Sequence, residues 1–166
     1  MMRGKAWKFG DNISTDLIAP GRYFHLRENL PELAKHVLED ARSEFAGRVK
    51  EGDVIAAGKN FGLGSSREHA AQIIKISGVS TILAKSFARI FYRNAINLGL
   101  PALECDTDKI NEGDELELRM EKGVIKNLTQ GTEIKTSPMP DVMLLILNEG
   151  GLLPYIKKHG DLPVVK

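Results

Sequence analysis

The sequence has a single cysteine, few aromatic residues and no long apolar run. Among its 166 residues only Cys105 is a cysteine, and aromatic side chains make up 6% of the chain. One cysteine cannot form an intramolecular disulfide, and it cannot by itself hold a zinc ion or an iron–sulfur cluster, because both need several ligands. We therefore expect no metal bound by this chain alone, so any metal in its chemistry must come from elsewhere.

No apolar stretch reaches the roughly 18 to 20 residues that a membrane-spanning helix needs. The first ten residues, MMRGKAWKFG, also lack the apolar core of a signal peptide. We therefore expect no membrane association and a cytoplasmic location.

An excess of one charge sign is also missing, since 23 Lys and Arg are matched by 22 Asp and Glu. The basic residues are scattered, so the sequence shows no surface for a polyanion, and we expect no nucleic-acid partner. The hydrophobic fraction of 42% and the charged fraction of 27% are typical of soluble globular proteins. The length suits a single domain over residues 1–166.

Short apolar segments alternate with helical periodicity and predict an α/β fold. The predicted strands cover residues 4–9, 54–57, 80–84 and 101–104, and the predicted helices cover residues 31–40, 67–77 and 87–98. From residue 114 onward, three short alternating segments predict a small antiparallel β unit. Two helices, over residues 141–148 and 152–158, are expected to follow it. A doubly wound open sheet is also compatible with this order.

The stretch GKNFGLGSSREH, residues 58–69, concentrates polar chemistry at a helix start. Ser65 and Glu68 have the spacing of a capping box, which predicts that Ser65 caps the helix. Gly62 and Gly64 allow close backbone approach, and a helix N-terminus presents free N–H groups to an anion. Because Arg67 can bind a carboxylate or phosphate with two donors, we predict an anion site here.

Other interpretations of this stretch have less support. It lacks the residue order of a P-loop or a dinucleotide-binding loop, so a small carboxylate fits better than a nucleotide. Ser65 lacks the G-x-S-x-G elbow of hydrolases, although His69 lies one helical turn after it. We expect His69 to be a helix-face histidine with a structural hydrogen bond.

Three separated segments resemble the small subunit of 3-isopropylmalate dehydratase, a relative of the swivelling C-terminal domain of aconitase and of the homoaconitase small subunit. They are WKFGDNISTDLIAPGRY (residues 7–23), GKNFGLGSSREHA (residues 58–70) and KSFARIFYRNAINLGLPALE (residues 85–104). The resemblance extends over about residues 3–165. It implies a compact β/β/α swivelling domain with a small antiparallel β unit and C-terminal helices.

The resemblance also implies a hydro-lyase that is active only with a separate large subunit, as a heterodimer or heterotetramer. In that family the large subunit carries a [4Fe-4S] cluster with one open iron site. The reaction is the isomerisation of 2-isopropylmalate to 3-isopropylmalate by dehydration and rehydration, a step of leucine biosynthesis. Whether the isolated chain self-associates is left open.

The resemblance assigns roles to several residues. Ser65 corresponds to the base that removes a proton from the carbon beside a carboxylate, and Ser66 and Arg67 correspond to the substrate-binding pair. Asp16 corresponds to an active-site aspartate, although a turn aspartate bonded to its own backbone is the simpler alternative. We interpret Arg89 and Arg93, four residues apart on one helix, as structural or interface arginines.

Substrate choice in this family is associated with the segment after GRY, which here contains Phe24, Leu26 and Arg27. If Phe24 or Leu26 faces the substrate, the branched alkyl group of isopropylmalate fits. If Arg27 faces it, the additional carboxylate of homocitrate or a related tricarboxylate fits, because a buried guanidinium needs a partner. We favour isopropylmalate; 2,3-dimethylmalate and a broad-specificity enzyme remain alternatives.

Two functions other than enzymatic catalysis have less support in the sequence. A phosphate- or nucleotide-binding module would use the glycine loop and need no partner. An RNA-binding role is disfavoured by the near-neutral charge.

Overall fold

The computed structural model describes residues 1–163 and contains a seven-stranded sheet. Its strands are β1 (Met2–Lys8), β2 (Val54–Ala57), β3 (Thr81–Ala84), β4 (Ala102–Glu104), β5 (Glu115–Arg119), β6 (Val124–Asn127) and β7 (Thr132–Lys135). Across the sheet they follow the order β4-β3-β2-β1-β5-β6-β7. The predicted α/β fold is confirmed. The strand predicted over residues 54–57 has those bounds, and the strands predicted over residues 4–9, 80–84 and 101–104 occur with ends shifted by one or two residues.

Strand β1 joins a parallel half of the sheet to an antiparallel half. Its residues 6–8 pair in parallel with β2, and its residues 2–5 pair antiparallel with β5. The antiparallel unit predicted from residue 114 is confirmed as β5, β6 and β7. Just after β7, the N–H of Ser137 donates to the carbonyl of Glu104 in β4 at 2.9 Å. The sheet is therefore curled so far that its two ends are hydrogen-bonded.

The two faces of the sheet belong to different apolar cores. In β2, Ile55 and Ala57 pack in the larger core with the helices, whereas Val54 and Ala56 pack in the smaller core inside the curl. A strand buried on both faces needs a continuous apolar run, which explains VIAA in β2. Strand β5 has one buried face, with Leu116 and Leu118 inside, and its sequence alternates accordingly.

The helices are α1 (Thr15–Ile18), α2 (Leu30–Ala34), α3 (Phe45–Arg48), α4 (Glu68–Ile76), α5 (Arg89–Asn97), α6 (Asp141–Asn148) and α7 (Leu152–His159). Short 3-10 turns occupy Gly21–Leu26, Thr107–Lys109 and Met120–Lys122. The helices predicted over residues 67–77, 87–98, 141–148 and 152–158 are confirmed; the third has the predicted bounds, and the other three differ by one or two residues at their ends. Within residues 1–163, every helix falls short of the length and apolar character that crossing a bilayer requires.

The helix predicted over residues 31–40 is wrong beyond Ala34, where α2 ends and a series of turns begins. Leu38, which is fully buried, has a φ of 55°. Its N–H donates to the carbonyl of Ile18 in α1 at 3.0 Å, instead of to the carbonyl four residues earlier. Packing of Leu38 in the larger core thus overrides the helical period of this segment.

Candidate active site

Two loops meet where the parallel strands β1 and β2 end. Residues 9–14 follow β1 and residues 58–67 follow β2, so both loops leave the sheet at its carboxyl edge. The N–H of Gly62 donates to the carbonyl of Ile13 at 2.7 Å, and the N–H of Thr15 donates to the carbonyl of Leu63 at 2.8 Å. These bonds hold the start of α1 against the glycine-rich loop.

Gly62 and Gly64 allow a loop path that side chains would block. Their φ angles are 83° and 107°, in the region that favours glycine. A Cβ on Gly62 would lie 2.1 Å from Cγ of Phe91, and a Cβ on Gly64 would lie 3.2 Å from Oγ1 of Thr15. The loop therefore packs directly on α5 at one glycine and on α1 at the other.

An open cavity of about 200 Å³ lies between this loop, α1 and α5. Part of its lining comes from residues predicted for the site: Gly62, Gly64, Ser65, Ser66 and Arg67. The rest comes from α1 and from the start of α5: Thr15, Ala88, Arg89, Ile90, Phe91 and Asn94. The structure thus gathers most of the predicted residues around one cavity, and the motif alone did not indicate Thr15 or Asn94.

Arg67 connects Asp16 to the cavity. Nη1 of Arg67 donates to Oδ1 of Asp16 at 3.0 Å and to the carbonyl of Ala19 at 3.1 Å. The same oxygen of Asp16 accepts the N–H of Gly21 at 3.1 Å. The Asp16 side chain is 69% exposed, so this ion pair adds little to stability and its main effect is to orient the guanidinium. Within residues 1–163, Nε and Nη2 of Arg67 make no hydrogen bond, which leaves two donors for a ligand.

The predicted capping box is wrong. Helix α4 begins at Glu68 with Arg67 as its N-cap residue, and no side chain of the described residues accepts a capping hydrogen bond there. Ser65 lies in the loop before the N-cap, and its Oγ lies 3.4 Å from Oγ1 of Thr15 instead. The N–H of Ala70 donates to the carbonyl of Arg67 at 3.1 Å, so the amides of Glu68 and His69 are the ones left to a ligand or to water, at the positive end of the helix dipole.

The guanidinium groups of Arg67 and Arg27 act on His69, in the first turn of α4. Burial lowers the pKa of His69, and the charges of Arg67 and Arg27 lower it further. Neutral histidine is thus favoured beside two guanidinium groups. An anionic ligand is the natural counterpart of such a site.

Two of the predicted specificity residues, Phe24 and Arg27, lie near His69. Arg27 places its guanidinium carbon 4.3 Å from the ring centroid of Phe24 and donates to the carbonyl of Phe24 at 3.2 Å. The Phe24 ring in turn meets the His69 ring edge-on, with the centroids 6.4 Å apart. Leu26 packs against the larger core. The described residues that line the cavity include none of these three specificity residues.

The start of α5 forms one wall of the cavity. Arg89 lines it, whereas Arg93 lies one turn further along the helix and is exposed. The side chains of both arginines make no hydrogen bond or ion pair with residues 1–163. Between them, Ile90 is 54% exposed, which is unusual for isoleucine.

The chain's own residues do not fit an iron–sulfur cluster. No group of three or more His, Cys, Asp and Glu side chains within residues 1–163 is arranged to hold a metal ion. Cys105 lies against the smaller core, where burial, with the charge of Asp106 adding to it, raises its pKa to about 12, so that the thiolate is disfavoured.

The chain is similar in sequence and in fold to known proteins over nearly its whole length. The chain is 68% identical to 3-isopropylmalate dehydratase small subunit 1 of Thermotoga maritima, over 99% of this chain and 100% of that protein. It is 52% identical to the isopropylmalate/citramalate isomerase small subunit of Methanocaldococcus jannaschii, over 95% of each. A crystal structure of 3-isopropylmalate dehydratase from M. jannaschii superposes with a TM-score of 0.92 at 45% identity, covering 96% of this chain and 95% of that one.

The fold implied by the resemblance, a swivelling domain with a small antiparallel unit and C-terminal helices, is confirmed by this superposition. Residues 15–108, which contain the glycine-rich loop and helices α1, α4 and α5, match the family described as the aconitase C-terminal domain. The chain therefore belongs to the aconitase C-terminal domain family.

Proposed function

We propose that this chain is the small subunit of a two-chain hydro-lyase that interconverts 2-isopropylmalate and 3-isopropylmalate through dehydration and rehydration. The relative at 68% identity is named a 3-isopropylmalate dehydratase small subunit, and the one at 52% identity is named an isopropylmalate/citramalate isomerase small subunit. The observation that carries the proposal is that an exposed Ser65 and the arginine Arg67, which has unused donors, line the same cavity. A cytoplasmic location and a role in leucine biosynthesis are part of the same proposal.

Ser65 is proposed as the base that removes a proton from the carbon beside a substrate carboxylate. A serine hydroxyl is a very weak acid, so it acts as a base only where its alkoxide is stabilised. Two features of the site favour the alkoxide, namely the guanidinium of Arg67 and the uncapped start of α4. These charges are fixed before the substrate arrives, which is the arrangement that stabilises a transition state most effectively.

Arg67 and Ser66 are proposed to bind the substrate carboxylate. Because Asp16 and the carbonyl of Ala19 both occupy Nη1, the plane of the guanidinium is fixed. Nε and Nη2 then present a two-donor edge, which matches the two oxygens of a carboxylate. Ser66 lies next to this edge and contributes a hydroxyl to the same cavity.

A large subunit is proposed to complete the site. A cavity of about 200 Å³ is smaller than the roughly 300–1,000 Å³ of a typical small-molecule site, and Ser65 is open to water. Exposed Ile90 and the unpaired side chains of Arg89 and Arg93 offer an apolar and cationic surface beside it. The [4Fe-4S] cluster proposed on that partner would supply Lewis-acid assistance to the departure of the substrate hydroxyl.

Substrate choice is proposed to favour isopropylmalate. Arg27 is engaged with the ring and carbonyl of Phe24, and this leaves its guanidinium outside the cavity lining. The second candidate is homocitrate or another substrate with an additional carboxylate, since the charge of Arg27 reaches His69 beside the site. The choice between isopropylmalate and homocitrate is proposed to depend on whether the Arg27 guanidinium stays on Phe24 or turns toward the substrate.

The test is co-purification of this chain, under anaerobic conditions, with the large subunit from the same source. Dehydration of isopropylmalate, citramalate and homocitrate is then followed by the ultraviolet absorbance of the unsaturated product. We expect turnover of isopropylmalate, and we expect Ser65→Ala to lower kcat by about 10²–10⁴-fold, the usual contribution of a general base. Ser43→Ala is the matched control, because Ser43 is exposed and lies outside the cavity lining.

Three results would revise the proposal. Wild-type kcat in Ser65→Ala would remove Ser65 from the mechanism. Turnover of homocitrate alone would make Arg27 the carboxylate ligand. Tight nucleotide binding by the isolated chain, without turnover in the complex, would favour a binding module.

A further inference from the structure

A buried hydroxyl lies directly beneath the exposed Ser65. Thr15, at the first position of α1, is only 3% exposed, and its Oγ1 lies 3.4 Å from Oγ of Ser65. This distance is long for a hydrogen bond between hydroxyls, whose usual value is about 2.7–2.8 Å. Catalytic hydrogen bonds are often long in a free enzyme and shorten when the substrate closes the site.

Thr15 is held rigidly, and its hydroxyl has one partner. Its backbone N–H donates to the carbonyl of Leu63 at 2.8 Å, and its carbonyl accepts the N–H of Ala19 at 2.9 Å. Its β-branched side chain has few rotamers. Among residues 1–163, Oγ1 of Thr15 contacts no hydrogen-bonding atom other than Oγ of Ser65. A buried polar group normally has a partner, so this hydroxyl is arranged to bond to Ser65.

The glycine at position 64 is what allows the approach. A side chain there would begin 3.2 Å from Oγ1 of Thr15, between the loop and α1. With no Cβ at this position, the loop lies close enough for the hydroxyls of Thr15 and Ser65 to meet. The same glycine lines the cavity.

We propose that Thr15 is a positioning residue for the reaction: its hydroxyl donates a hydrogen bond to Oγ of Ser65, orients this oxygen toward the substrate and stabilises its alkoxide. This inference rests on the proposed role of Ser65 as the base. Thr15 itself touches neither the substrate nor the reacting carbon. A hydrogen bond to the charged form of a group favours that form, and this gives Thr15 its effect.

The proton transfer starts with Ser65 as an alkoxide, its own proton having passed to the solvent, and with Thr15 as a hydroxyl that donates to it. As the C–H bond of the substrate breaks, an O–H bond forms on Ser65, and the electron pair stays on the substrate carbon. Ser65 then carries a proton that it can donate to Oγ1 of Thr15, so the hydrogen bond between them reverses. In the hydration direction Ser65 returns the proton to carbon and again accepts from Thr15.

The test compares two matched pairs in the reconstituted two-subunit enzyme. Wild type and Thr15→Val have nearly the same shape and differ in the hydroxyl. Thr15→Ser and Thr15→Ala differ in the same way, and they keep the comparison available if the valine variant fails to assemble. Each enzyme is assayed for kcat and KM with isopropylmalate between pH 6 and 10, with Ser65→Ala and the Ser65→Ala/Thr15→Val double variant in parallel.

We expect the variants without the hydroxyl to have kcat lowered by about 10- to 100-fold, with KM changed by less than about threefold. Thr15→Ser should recover most of the activity that Thr15→Ala loses. The rising limb of the kcat–pH profile should move to higher pH without the hydroxyl, because the alkoxide is then harder to form. The double variant should be no slower than Ser65→Ala, since both changes act on one group.

Equal loss in Thr15→Ser and Thr15→Ala, or wild-type kcat in Thr15→Val, would overturn the inference. An unshifted pH profile would also overturn it, because packing alone does not depend on proton transfer. These failures differ from failure of the proposed function. If the proposed function is wrong, Ser65→Ala itself will be active, or the reconstituted wild type will not turn over isopropylmalate.

Discussion

Replacing Gly62 with alanine tests the packing that holds the glycine-rich loop in place. The added Cβ would lie 2.1 Å from Cγ and 2.4 Å from Cβ of Phe91, well inside van der Waals contact. Phe91 is 2% exposed and packs edge-on against the Phe61 ring, with centroids 5.3 Å apart, so it has little room to move. The φ of 83° at Gly62 would also strain the backbone of any residue with a side chain.

The two costs can be estimated separately. Overpacking of a well-filled core costs about 1–3 kcal/mol. A left-handed backbone costs a residue with a Cβ about 1–2 kcal/mol. Gly62→Ala should therefore lower the free energy of unfolding by about 2–5 kcal/mol, which in a chain of this size corresponds to a fall in Tm of about 4–20 °C. Displacement of the loop by about 1 Å should also lower kcat by about 100-fold.

Urea unfolding of the full chain, followed by circular dichroism, measures the first effect. The control is Gly131→Ala in the turn between β6 and β7, where φ is 70° but a Cβ would meet no atom within 4 Å. That variant should lose only the backbone contribution of about 1–2 kcal/mol. If Gly62→Ala were no less stable than Gly131→Ala, the contact with Phe91 would not be what fixes the loop.

Two further predictions concern ionisable groups. Burial would raise the pKa of Asp114, but hydrogen bonds, including those from Asn127 at 2.7 Å and Gln130 at 2.6 Å, outweigh it and lower the pKa. Asp114→Asn should therefore cost about 1–3 kcal/mol at pH 7; equal urea midpoints at pH 7 would contradict this. The difference from wild type should shrink as the pH falls below about 4, because the carboxylate of the unfolded chain then binds a proton, whereas the native carboxylate stays ionised until the pH falls through its lowered pKa. Arg27→Gln should raise the pKa of His69, because one of the cations that lowers it is removed; an unchanged NMR titration of His69 would mean that Arg27 points away from the site.

The strands could be predicted from the sequence because the burial of each strand face determines its pattern of apolar residues. The run VIAA of β2 is apolar throughout because both of its faces are covered, and the alternation in β5 follows from one exposed face. No comparable pattern in the sequence marks the end of α2. Leu38 lies in register with the helical pattern, and only its contact with Ile18, twenty positions away in the chain, shows why the helix stops.

The candidate site could be predicted in part for the same reason. The glycines, Ser65 and Arg67 lie within six residues of one another, so a local motif contains them. Thr15 and Asp16 reach the motif only through the pairing of two loops at the ends of β1 and β2, which no local pattern encodes. The capping box failed because its spacing is local, whereas the position of Ser65 is decided by contact with Thr15.

The geometry of Arg67 explains why this position requires an arginine. One nitrogen of the guanidinium is committed to Asp16 and Ala19, which fixes its plane, and the remaining donors are free for the proposed carboxylate. A lysine side chain has a single nitrogen, so it could not keep the structural contacts and also present a two-donor edge to the ligand. The exposed Asp16 thus acts through Arg67, and its small contribution to stability is compatible with a large effect on binding. An ion pair that is weak as a stabilising contact can still determine where a carboxylate binds.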